Sequence, residues 1–276
     1  MFCQRSIFWL GFQIAVAFTL FFSAESLLFA QEMRIESKVF MKNGNDEVPI
    51  SENLTFFVDG LVYDFLAQPE EVTILDAQPG RERFIVLDPA RQIKCILGLR
   101  EIHEFVEQVR LGAERSQDPF VQFLARPEFQ TNWSPENHLL LLNSNWMQYR
   151  IQTSPVPNEQ MRVRYHDFSN WYAKLNTMAN PLSMPPFARL VVNQQLNKYG
   201  QIPQSVELKL LLEKQLTFRS EHKVIQLLSA EDKQRIQQTD QQFIQYRQVS
   251  FSDYYQHKKK GEEGAKQAQE AQPERR

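Results

Sequence analysis

Between residues 33 and 97 apolar and polar side chains alternate with a period of two. Met33, Ile35, Val39 and Met41 share one face against Arg34, Glu36 and Lys38, the pattern of a half-buried strand. Asn43-Gly44-Asn45-Asp46 reads as a turn. A longer strand region runs from Leu54 to Phe65, with Asp59-Gly60 either a hairpin turn or a bulge. Val72, Ile74 and Asp76 alternate up to Gln78-Pro79-Gly80. Arg83–Leu87 and Gln92–Leu97 then flank Asp88-Pro89-Ala90-Arg91, a connection with proline at the second position of a turn. Short strands so closely spaced predict an antiparallel meander.

The period lengthens at residue 99. Leu99, Ile102, Val106 and Val109 form one stripe at helical spacing, with Gly112 as its expected end. Asp118-Pro119 makes a capped start for a short second helix carrying Phe120, Phe123 and Leu124, which Pro127 stops. Gln130 to Asn137 reads as loop. Strands resume at His138–Asn143 and Trp146–Ile151. After the stiff connection Ser154–Asn158, Met161, Val163 and Tyr165 oppose Arg162, Arg164 and His166. Beyond Asp167 the spacing is helical again, through Trp171, Tyr172, Leu175 and Met178. Pro185-Pro186 introduces a further helix that Gly200 terminates. Val206, Leu208, Leu210 and Leu212 alternate in a late strand, and Leu216 to Leu228 is its expected partner. Ser229-Ala230-Glu231-Asp232 opens a last helix through Ile236, Phe243 and Tyr246. The order predicts an α+β chain: a curved antiparallel sheet, an open half-barrel, with helices packed on one face. No internal repeat is visible, and one domain over 31–256 is expected. The run from His257 to Arg276 has no aromatic or branched residue and reads as a disordered charged tail.

The first thirty residues change how the composition is read. Arg5 precedes an apolar run from Ile7 to Phe22, followed by small residues, which is the pattern of an export signal. Ala24-Glu25-Ser26 offers small residues at the spacing a signal peptidase needs, and cleavage after Ala30 is the other option. An uncleaved membrane anchor is the alternative reading of residues 1–30, since the run is close to bilayer-spanning length. Cys3 lies ahead of the run, where it cannot carry a lipoprotein's lipid. Of the two cysteines in the 276-residue chain only Cys95 would remain, alternating with Ile93 and Leu97 as a small buried hydrophobe. A formal net charge of -2 excludes attachment to nucleic acid by bulk charge. The expected location is exported, periplasmic or cell envelope.

Reactive constellations are scarce. The five histidines are scattered, with no paired-cysteine or HExxH pattern, and no glycine-rich phosphate loop or GxSxG elbow occurs. Neither metal nor cofactor is expected. His166-Asp167 is the one adjacent acid–imidazole pair, and on a strand its side chains would diverge. Glu70, Glu71 and Asp76 are read as solvated edge carboxylates. Aromatic residues offer more. A thick core between sheet and helices would account for them; a partly unfilled apolar pocket would make them a ligand surface. The candidate ligand-binding residues are Phe56, Tyr63, Phe65, Trp146, Tyr149, Tyr165 and Trp171, with Arg162 and Arg164 placed to orient an anionic head group.

The early strand run Met33–Leu97 behind an export signal, and Ile202-Pro203-Gln204-Ser205-Val206-Glu207 entering a late strand, resemble the lipoprotein-carrier superfamily with its LolA/LolB-like half-barrel. The resemblance implies an open sheet closed by helices, with acyl chains or hydrophobic protein parts bound in its cavity. The chain departs from that pattern in two respects: no long helix precedes the first strand, and two helices are inserted at 99–127. The chain is also similar in character to exported bacterial proteins of unassigned activity. The leading expectation is therefore an exported non-catalytic binding module for a lipid, another apolar ligand or a partner segment. A structural or interaction protein of the cell envelope, meeting an envelope protein through its last helix and tail, is the alternative, and a hydrolase with a site assembled from distant residues a lesser one.

Overall fold

The computed structural model describes residues 32–43, 46–156, 158–180 and 183–255. The proposed signal segment and the charged tail lie outside them. The first meander comprises β1 (Met33–Asn43), β2 (Asp46–Val58), β3 (Leu61–Leu66), β4 (Glu71–Asp76), β5 (Arg83–Asp88) and β6 (Ile93–Gly98). Helices α1 (Leu99–Glu114) and α2 (Pro119–Ala125) lead to a second meander of β7 (Gln130–Ser134), β8 (Leu139–Asn143) and β9 (Met147–Pro155). It is interrupted by α3 (Glu159–Ala179) and α4 (Phe187–Lys198) and completed by β10 (Gln201–Leu210) and β11 (Leu216–Ile225). Helix α5 (Ala230–Gln245) and the two-residue β12 (Arg247–Gln248) follow, and a single helical turn spans 251–255.

All twelve strands form one open curved sheet in the order β12-β6-β5-β4-β3-β2-β1-β11-β10-β9-β8-β7. Every pairing is antiparallel except that of β12 with β6. The two meanders meet where β1 pairs with β11, Ser37 standing opposite His222. That seam joins residues some 185 positions apart and holds the halves in one sheet. The β2–β3 hairpin turns at Asp59 and Gly60, with φ of 46° and 81°. Both residues take the positive φ of a type I′ turn. A Cβ on Gly60 would also meet the Gln78 amide at 2.6 Å.

Helices α1 to α4 cover one face, called inner below, and α5 lies on the other. The strands dictate this division. Phe57, Val62, Leu75, Phe84 and Leu97 point inward, while Phe56, Tyr63, Ile74, Ile85 and Leu87 point outward and are equally buried. Strands apolar on both faces require cover on both. Ile236 and Phe243 of α5 supply it on the outer side. The helix begins in a capping box, in which Ser229 and Asp232 each bond the other's amide, and an ion pair of Asp232 with Arg34 on β1, at 2.8 Å, ties its start to the sheet.

Two local expectations change. The segment read as a strand at Met161–His166 is the first part of α3. Asn158 caps it by accepting from the amides of Gln160 and Met161, and Met161, Phe168 and Leu175 are buried at seven-residue intervals. The loop expected at 130–137 contains β7, a polar edge strand whose Gln130, Thr131 and Asn132 are exposed and so carry no alternation signal.

Candidate functional site

Two cores fill the ends of the inner face. One packs Phe57, Phe84 and Leu97 against Ile102 of α1 and Phe168 of α3. The other packs Leu140, Met147 and Ile151 against Val192 and Leu196 of α4. Between them, over the seam of β1, β2 and β11, lies a cleft of about 460 Å³. This is within the roughly 300–1,000 Å³ range of small-molecule sites. The cause is local. At the seam the inward positions are Ser37, Asn53, Thr55, Ser220 and His222, smaller or more polar than the side chains that fill the flanking cores. Ile35, Val39, Val206, Leu208 and Phe218 line the apolar floor and walls, Tyr165, Phe168 and Ala173 of α3 form the roof, and the half-exposed Met184 stands at the rim.

A polar strip crosses the floor. Thr55 Oγ1 donates to Asp64 Oδ1 at 2.6 Å and Asn53 Nδ2 donates to Oδ2 at 2.7 Å. Ser51 in turn donates to Asn53 at 2.7 Å. Burial pushes the Asp64 carboxyl above the usual range, against the bonds from Thr55, Asn53 and Tyr172 that favour its charge. The same burial, with Asp64 beside it, raises the Tyr172 phenol well above its ordinary value. On the other side of the strip, His222 Nδ1 is 2.8 Å from Ser37 Oγ and Nε2 is 2.9 Å from Ser220 Oγ. Burial, and then the charge of Arg189, lower the imidazole to about 4. It is neutral at pH 7.

A serine bonded to a histidine invites comparison with a hydrolytic dyad. The imidazole here is a weak base, and serines occupy both its nitrogens, the position an orienting acid would take. Nor do the described residues include a group of three or more His, Cys, Asp or Glu able to hold a metal ion. The arrangement suits binding: an apolar cleft with a few fixed polar groups.

Of the residues chosen from sequence, Tyr149 and Tyr165 line the cleft. Burial raises the Tyr149 phenol to about 12. Phe56, Tyr63 and Phe65 are on the outer face. Phe56 packs on Phe65 at 5.2 Å, and Tyr63 donates to Asp240 of α5 at 3.0 Å. Trp146 packs against Phe120 at 5.6 Å, and Trp171 carries the Lys174 ammonium over its ring at 4.3 Å. Helical geometry turns both arginines elsewhere. Arg162 bonds Asn197 and Glu159, and Arg164 donates to the Leu61 carbonyl at 3.0 Å. His166 Nδ1 is 3.5 Å from Asp167, outside the cleft lining.

Asp64, His222 and Arg189 were missed in the sequence reading. A signal for the first two exists in the strand phase. Asp64 follows Val62 at the inward spacing, Ser37 sits between Ile35 and Val39, and His222 between Ser220 and Val224. A polar residue in an apolar phase marks a buried or ligand-facing position. No family model matches the chain, and no curated protein matches it in sequence.

Proposed function

We propose that this chain is an exported, non-catalytic binding protein that holds an apolar ligand against the inner face of its curved sheet. The cleft between two filled cores carries the reading: its floor and roof are largely apolar, and the polar groups of the strip across its floor bond one another. The weak basicity of His222 favours binding over catalysis. Export rests on the apolar run Ile7–Phe22 behind Arg5, and fractionation of the cells that make the protein tests it; a chain confined to the cytoplasm contradicts it. Among the described residues no helix is long and apolar enough to cross a membrane.

Hexadecanol is a suitable test ligand, being apolar and uncharged. The full chain binds it saturably, and Ala173→Trp, which fills the roof, weakens binding at least about tenfold with unchanged circular dichroism. Absence of saturable binding of hexadecanol, and of its acidic counterparts hexadecanoate and hexadecyl phosphate, by the unsubstituted chain contradicts the reading.

A further inference from the structure

The charges around the cleft do not balance. Arg219 is paired with Glu47 and Glu221. Asp64 is satisfied by Thr55 and Asn53, and its burial disfavours the anion. Arg189, in the first turn of α4, lines the cleft and is half-buried. No hydrogen bond or ion pair joins it to another of the described residues, and the first turn of α4 holds no acid. Ser183 Oγ, also in the lining, is buried with no hydrogen-bond partner among the described residues. A neutral ligand seated over the seam would strip water from this guanidinium and give nothing back. A ligand carrying an acid would compensate the charge and offer acceptors to both Arg189 and Ser183.

From this imbalance we infer that the cleft takes an amphiphile with one acidic head group, a carboxylate or a phosphate on a single apolar chain, with the head paired to Arg189 and the chain laid along Ile35, Val39, Val206, Leu208 and Phe218. The inference rests on the binding reading above and adds the ligand's charge. Selection for the acid comes from Arg189, and retention of the chain comes from the apolar walls.

The test is a set of titrations of the full chain with hexadecanoate, hexadecyl phosphate, hexadecanol and inorganic phosphate at low salt. Hexadecanoate or hexadecyl phosphate, or both, bind at least about tenfold more tightly than hexadecanol, and inorganic phosphate binds far more weakly than either acid that binds. Which acid prevails identifies the head group. Arg189→Gln abolishes the preference for acids over hexadecanol, Arg189→Lys restores part of it, and Lys198→Gln, at the far end of the same helix, keeps it. Equal affinities for acid and alcohol in the unsubstituted chain overturn the inference and leave the binding reading standing. A preference that survives Arg189→Gln, or inorganic phosphate bound as tightly as hexadecyl phosphate, also overturns it. No saturable binding of any of the four removes the binding reading and this inference together.

Discussion

His222 shows what a single residue at the seam does. Its imidazole is held to about 4 in the folded chain against 6.5 as the ordinary value, because burial and Arg189 both oppose its charge. Between those values the unfolded chain binds a proton that the folded chain does not. The contribution to stability is therefore full above pH 6.5 and is lost as the pH falls toward 4. His222→Gln, which keeps a donor and an acceptor for Ser37 and Ser220, should flatten the stability–pH curve in that window, measured by urea unfolding at a series of pH values. An undiminished slope would mean that the imidazole is not the titrating group. The role of His222 was only half legible in the sequence. Its phase on the strand marks an inward side chain. Whether an inward polar group meets a filled core or a cleft depends on what lies across from it, and that is set by α3 and α4, far away in the chain.

At the scale of elements, periodicity was informative wherever one face was buried and the other wet. Strands β6 and β9, helix α1, and the start of α5 at its capping box follow the pattern of the chain closely. The pattern was least informative where burial is two-sided or absent. In β4 and β5 consecutive residues are buried on both faces, so period alone does not tell which element covers which face. In α3 a mixed run of Arg and apolar residues mimicked alternation until Asn158 capped it as a helix. Helix α5 matters to the cleft indirectly, because it shields the outer side of the sheet whose inner side holds the floor. Ser229→Ala removes half of its capping box and should cost about 1 kcal/mol of unfolding free energy. Its effect on hexadecanol affinity should be small, since the substitution lies on the opposite face. A large loss of affinity with unchanged stability would place α5 in the site instead.

For the whole molecule, the seam between the two meanders is the organising feature. Each half-sheet builds a core of its own with the helices nearest to it, and the pairing of β1 with β11 fixes the halves together with Ser37, Ser220 and His222 at the join. Large side chains would have fused the cores, whereas small and polar ones leave about 460 Å³ between them. A ligand should therefore be felt at the seam and nowhere else. The most direct measurement is the methyl NMR spectrum of the full chain titrated with hexadecanol. Ile35, Val39, Val206 and Leu208, around the cleft, should shift progressively to saturation, while Ile74, Ile85, Leu87 and Ile236, beneath and on α5, should stay in place. Shifts confined to the outer-face methyls, or none at either face, would contradict it.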